Sequence, residues 1–347
     1  FILLAIQYSC TNDCDEPANE FNPTPYYLEI PSSLPLIDVP LDNPLTKEGV
    51  YLGRKLFHEP ILSADGTQSC ASCHIQSTGF SDPNQFSTGI DGVIGNRNAM
   101  ALINLMWSPS LNWDGSSTKL EDQAFEPVIN PIEMHDTWLN VSDKLNAHAE
   151  YPVLFKEAFN IDEIDSNYVV KAIAQFERTL ISGNSKWDKW IRGEVMFTDQ
   201  EVRGWDLFNV DRTDFSAGAD CFHCHTAPHF TDFLFHNNGL DSDEIFSDLG
   251  LYETTGSDID KAKFKTPTLR NIEVTGPYMH DGRFSTLEEV IEHYNSGGHA
   301  SSTVSPLMKN VGDGLLLSQD DKEALLAFLR TLTDEEFLNN PEFSNPF

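Results

Sequence analysis

Basic side chains are scarce in this sequence: 22 Lys and Arg stand against 54 Asp and Glu, for a formal charge of −32. A surface this acidic repels phosphate backbones and anionic lipid headgroups, which argues against nucleic acid or an anionic membrane as a partner. Long apolar runs are lacking as well. Nothing beyond the first residues approaches the ~20 consecutive apolar positions needed to span a bilayer. No stretch alternates polar and apolar residues with period two, so a sheet-based core is not expected. What is present suffices for a folded interior: 40% of the 347 residues are apolar and 11% aromatic, enough to bury roughly three quarters of the unfolded surface in one or two domains.

The first ten residues form an apolar stub ending at Cys10, which reads as the tail of an export signal. Residues 1–44 are therefore read as an export or lipoprotein remnant followed by a Pro-rich linker, with lipid attachment at Cys10 as the one route to a membrane. A frayed terminus or a local Cys10–Cys14 disulfide are the alternatives.

Beyond that point the chain repeats itself. Gly53, Leu56 and Phe57 recur as Gly204, Leu207 and Phe208, a shift of 151 residues, and 17 residues after each glycine a Cys-x-x-Cys-His opens, at 70–74 and 221–225. Trp113-Asp-Gly matches His280-Asp-Gly, and Phe176 to Leu180 matches Phe328 to Leu332. A repeat of this length marks homologous units, here about 46–182 and 198–334. The expected domains are 45–190 and 191–347. Thr46 and Thr198 are candidate N-caps. Ile173, Phe176 and Leu180, and again Leu325, Phe328 and Leu332, are apolar at helical spacing. The fold is expected to be all-α, with long irregular loops.

Four of the six cysteines sit in the paired motifs. A thioredoxin-like redox pair needs a βαβ context, which is absent, and a zinc ribbon needs its two Cys pairs close in sequence. Covalent c-type haem accounts for every member: Cys70, Cys73, Cys221 and Cys224 add to haem vinyls, while His74 and His225 become iron ligands. Two haems are expected, one per unit, in tandem cytochrome c-like domains. Haem c attachment outside the cytoplasm agrees with an exported, periplasmic protein and an oxidising compartment.

The units differ where a second axial ligand belongs. Tyr294 lies 14 residues after His280, and the same offset from Trp113 reaches Pro127. A phenol ligates iron and a proline does not. The loop from 75 to 96 holds no His, Met, Lys or Tyr, so the first haem is expected to be open for peroxide or oxygen. Glu133, six residues past Pro127, is a candidate proton shuttle or else a solvated loop carboxylate. His293, Met279 and His280 are rival ligands to Tyr294. Trp187, Trp190 and Trp205 read as core or interface aromatics, and His135 and His229 as ordinary polar residues.

These segments together resemble the bacterial dihaem cytochrome c peroxidase family, including its MauG branch. The resemblance rests on residues 53–63, Cys70 to His74, Arg97-Asn98, 112–115, Cys221 to His225, 266–271 and 278–282, and covers nearly all of the chain after about residue 45. It implies that the first haem is the peroxidatic centre and the second an electron-uptake or storage centre. Trp113 would be a relay between them, Gln123, Pro127 and Glu133 would line the distal pocket with Glu133 as acid and base, and Asn98 with the carbonyls of Thr275 and Pro277 would hold an interdomain Ca²⁺. Two departures bear on mechanism. Members that need reductive activation carry a removable His between 75 and 97, absent here, and Tyr294 stands where a Met is usual, as in the MauG branch. A hard anionic phenolate favours the more oxidised iron states. The implied partners are hydrogen peroxide together with a small cytochrome or cupredoxin as electron donor, or a protein substrate oxidised at Tyr or Trp. Monomer and homodimer are equally compatible with the sequence, and a dihaem electron carrier without chemistry of its own is the rival from another class.

Overall fold

The computed structural model describes residues 21–213 and 216–347; Cys10 and Cys14 lie outside the described residues. Its helices are α1 (Lys47–Phe57), α2 (Cys70–Cys73), α3 (Leu120–Ile129), α4 (Trp138–Ala147), α5 (Tyr151–Phe159), α6 (Ser166–Glu177), α7 (Lys186–Ile191), α8 (Asp199–Phe208), α9 (Tyr252–Thr255), α10 (Leu287–Ser296), α11 (Gln319–Arg330) and α12 (Glu335–Asn339). The expectation of helices joined by long loops is met except at one place. Two short strands, β1 (Phe235–His236) and β2 (Phe264–Lys265), pair antiparallel with Phe235 opposite Lys265. Strands of two residues are too short to carry a period-two signal. Among the described residues, no helix is long and apolar enough to cross a membrane.

The duplication is visible in the packing. The Thr46 hydroxyl accepts from the Gly49 N–H to cap α1, and Thr198 forms a reciprocal capping box with Glu201 at the start of α8, in each case satisfying orphan backbone donors. α1 crosses α6 with Gly53 against the Ala172 carbonyl, where a Cβ would sit 1.9 Å from the oxygen; α8 crosses α11 with Gly204 against the Ala324 carbonyl, again at 1.9 Å. Both crossings therefore require glycine. Above them sit matching aromatic triads. Phe57 meets Phe80 and Phe176 at 6.0 and 5.3 Å between ring centroids, and Phe208 meets Phe230 and Phe328 at 6.0 and 5.1 Å.

Each half is fastened by a segment that follows the other in sequence. α7 ends at the expected 190/191 boundary, yet its Trp187 and Trp190 pack in the second cluster with Phe208, Phe230 and Phe328. Its Asp188 receives a bidentate pair of bonds from Arg270, 2.8 and 3.0 Å, with both side chains fully buried. Conversely, Phe337, Leu338 and Phe343 near the C-terminus pack with Phe57, Phe80 and Phe176 of the first half. Asp334 anchors that return by accepting from Ser182 Oγ and from the N–H groups of Gly183 and Asn184. The Pro-rich stretch is laid onto the same seam: Leu34 is buried, Ser33 bonds Asp188, and Trp107 donates its indole N–H to the Pro35 carbonyl.

Candidate functional site

Two cavities open between these elements, one beside each Cys-x-x-Cys-His. The first, about 730 Å³, is lined by Cys73, His74, Asn98, Trp113, Gln123, Pro127, Glu133, Thr275 and Pro277 among others, so residues spread over two hundred positions converge on one space. Cys70, at the start of α2, lies against the neighbouring apolar cluster instead. The second cavity, about 210 Å³, is lined by Cys221, Cys224, His225 and Tyr294, with Asn238, Met279 and His280. The two motifs face different spaces, which removes a shared four-thiolate metal site.

Both motif histidines are held in the same way. The His74 N–H donates to the Cys70 carbonyl and its Nδ1 lies 2.8 Å from the Phe80 carbonyl oxygen. His225 repeats this with Cys221 and with the Phe230 carbonyl at 3.1 Å. A ring that donates from Nδ1 keeps its Nε2 lone pair for a metal, and such a donor bond fixes both tautomer and orientation. Burial pushes both imidazoles below their usual range, which favours the neutral, ligating form. Phe80 and Phe230 present these carbonyls from backbone with φ of 59° and 54°, a left-handed conformation that costs energy in a bulky residue. The thiols are free, and burial pushes Cys70, Cys73 and Cys221 upward, Cys221 to about 12. For these three thiols burial outweighs any hydrogen bond that pulls the other way, such as that from Gln68 to Cys73, so the thiolate of a redox or zinc-binding cysteine is disfavoured. Two thiols and a histidine with a committed Nδ1 beside each cavity fit a covalently attached haem.

The walls opposite the histidines differ. α3 carries Gln123 and Pro127 one turn apart, and its C-cap Asn130 donates Nδ2–H to Glu133 Oε1 at 2.6 Å. Glu133 is further fixed by its carbonyl, which accepts from the Ile90 N–H at 3.0 Å. Burial raises its carboxyl above the usual range, with the Asn130 bond pulling the other way and nearby Glu126 adding to the rise. A carboxyl so placed exchanges a proton closer to neutral pH than a solvated one.

In the second cavity α10 presents Tyr294. Its hydroxyl accepts from Asn238 Nδ2 at 3.2 Å, and burial pushes the phenol up to about 12 against that bond. The rival His293 points elsewhere, with Nε2 3.1 Å from the Asn238 carbonyl. His280 stacks on Phe264 at 3.6 Å. Met279 does line the cavity, with its sulfur 3.4 Å from Asn238 Nδ2.

Trp113 lines both cavities and is pinned by its indole N–H to the Asn98 carbonyl at 2.8 Å. Asn98 in turn donates Nδ2–H to the carbonyls of Asn84 and Gln85, which leaves its Oδ1 as the amide atom available to a cation. Asn238 and Lys265, both on the cavity walls, were not legible as site residues: neither sits in a motif, and each reaches its place through chain segments far apart in sequence.

A family model described as di-haem cytochrome c peroxidase matches residues 47–196. Methylamine utilization protein MauG of Methylorubrum extorquens is 37% identical over 300 residues, 85% of this chain and 81% of its own length. Cytochrome c551 peroxidase of Nitrosomonas europaea is 32% identical over 315 residues, 90% of this chain and 86% of its own. Among solved structures, a MauG-like protein associated with microbial copper homeostasis aligns with a TM-score of 0.85 at 36% identity, over 92% of this chain and 99% of that one.

Proposed function

The chain belongs to the di-haem cytochrome c peroxidase family, and from that premise we propose that it is an exported two-haem enzyme that reduces hydrogen peroxide at its first site and handles electrons at its second. In this reading each half is a cytochrome c-like domain. Cys70, Cys73 and His74 hold one haem; Cys221, Cys224, His225 and Tyr294 hold the other. The haem iron supplies a binding position for an oxidant where one face is left free and a reversible store of electrons where both faces are ligated. Peroxide, two protons and two electrons give two waters.

The chain's own residues supply the rest. Glu133, oriented by Asn130, takes a proton from the incoming peroxide oxygen and returns it to the departing one. Gln123 presents an amide to the same space, and Pro127 offers no ligating atom. Trp113 stands on the wall common to both cavities as the relay. Asn98, with the carbonyls of Thr275 and Pro277, holds a Ca²⁺ whose oxygen-only donor set suits that ion. The acidic surface selects an electron donor with a basic patch, a small cytochrome or cupredoxin, through salt-sensitive association.

The observation that carries this reading is the asymmetry between the cavities: the Tyr294 phenol lines the second alone, whereas Gln123, Pro127 and Glu133 line the first alone. The same phenol favours a second reading, in which the electrons come from Tyr or Trp side chains of a partner protein, as in the MauG branch. Low-temperature EPR of the ferric protein, before and after stoichiometric peroxide, tests both. One high-spin and one low-spin signal that bleach together support an open enzyme. Two low-spin signals indifferent to peroxide leave an electron carrier. Loss of the peroxide response on adding a reduced small cytochrome, with turnover, separates peroxidase from partner oxidase.

A further inference from the structure

The wall between the two cavities contains a cation that the mechanism above does not use. Lys265 lines both spaces, as Trp113 does, and is only 6% exposed. Its place is set by backbone: Lys265 pairs with Phe235 across the two-stranded sheet and donates its N–H to the Trp113 carbonyl at 2.9 Å. Among the lysines and arginines, three line the cavities. Arg97 is tied to Asp114, Asp248 and Glu253, and Lys309 to Asp211 and Asp220. Lys265 has no carboxylate partner among the described residues. An ammonium taken out of water without a counter-charge is costly and is retained where an anion meets it. Burial accordingly pushes this one down to about 8.

The internal repeat sharpens the point. The Leu102 N–H donates to the Phe80 carbonyl as that of Leu269 donates to Phe230, and the Asn104 N–H donates to Leu180 as that of Asn271 donates to Leu332. Asn104 and Asn271 share a left-handed backbone, with φ of 55° and 59°. Four residues before each leucine, this register sets Lys265 against Asn98. The first half thus has a neutral amide where the second has a buried amine, both beside Trp113.

We propose that Lys265, on the wall common to both cavities, would be a built-in counter-cation for carboxylate groups of the prosthetic groups seated there. The inference rests on the reading that each cavity holds a haem, whose propionates are those carboxylates. Lys265 is then a positioning residue. It makes and breaks no covalent bond, and its charge favours the reduced form of both irons together.

The test is a spectroelectrochemical titration of holoprotein carrying K265M or K265R, with haem counted per chain by pyridine haemochrome. In K265M both midpoints are expected to fall, so that the reduced-to-oxidised ratio at fixed potential drops about tenfold, about 59 mV for a one-electron couple. K265R is expected to stay within about threefold of the unaltered protein. Unchanged midpoints in K265M, a shift confined to one haem, or a loss that arginine does not rescue would each overturn the assignment. If K265M does not mature, K265Q, which keeps a polar side chain without charge, carries the same comparison. Fewer than two haems in the unaltered protein would instead sink the two-haem reading itself.

Discussion

The two halves of this molecule are built on the same frame and filled differently. In each, a glycine lets one helix rest on the carbonyl of another, a phenylalanine triad covers the crossing, and a left-handed Phe carbonyl holds a histidine by Nδ1. Opposite the histidines the likeness stops. The first cavity is the larger and has Glu133, Gln123 and Pro127; the second is tighter and has Tyr294, while Met279 lines both. The two units share the backbone that holds each motif histidine and differ on the walls opposite it. The chemical division of labour therefore rests on a few wall positions, and that claim is open to direct attack.

The largest effect is expected at Glu133. Glu133→Gln keeps the shape and the Asn130 contact but removes proton transfer, so peroxide turnover should fall roughly 10²–10⁴-fold with haem content and the second haem's EPR signal unchanged. Near-normal turnover would dissolve the distinction between a reactive and a passive cavity. The frame is tested by a matched pair. Gly53→Ala and Gly204→Ala each drive a methyl into a backbone carbonyl and should each cost about 1–3 kcal/mol, read from chemical unfolding. A cost at only one site would show that the crossings are not equivalent.

How far the molecule was legible beforehand follows from where the signals live. The repeat announced itself because Gly53 and Gly204, the Cys-x-x-Cys-His motifs and the Phe-x-Arg-Thr-Leu segments recur at fixed spacing, and spacing survives when contacts are unknown. The same arithmetic set Tyr294 against Pro127, and each lines one of the two cavities. The exchange of fastening segments was not legible. Apolar positions such as Trp187 and Phe337 say that a segment is buried, not which half it covers. Asn238 and Lys265 were missed for a related reason, since a lone amide on Tyr294 and a lone ammonium beside Trp113 are products of tertiary folding with no local pattern.

Glu177 gives the comparison a pH dependence. It follows Phe176 as Leu329 follows Phe328, so the first half buries a carboxyl where the second buries a leucine. Its Oε2 has no hydrogen-bond partner, and burial raises the group from 4.5 to about 8, with Arg178 opposing. Between those values the folded chain holds a proton that the unfolded chain has released. Stability should therefore decline as pH rises from about 4.5 and level off above about 8, by about 1.4 kcal/mol per pH unit at most. Glu177→Gln removes that slope, so the gain in Tm over the unaltered protein should grow from pH 5 to pH 8. A gain independent of pH would mean the carboxylate is already ionised and solvated.

The smallest effect is the most selective. Asn238 donates one amide hydrogen toward the Tyr294 hydroxyl at 3.2 Å and lies 3.4 Å from the Met279 sulfur, so it favours one of two neighbouring candidate ligands by a bond worth about 0.5–1.5 kcal/mol. Asn238 itself lines only the second cavity. Asn238→Ala should leave the first haem's high-spin EPR signal untouched and shift only the low-spin signal of the second. A change toward thioether-like g values would mean that this single bond decides between phenol and sulfur. An unaltered spectrum would place the choice in the α10 backbone, which carries Tyr294 into the cavity and turns His293 away. Either result assigns the difference between the halves to a nameable cause, a side-chain hydrogen bond or a helix register.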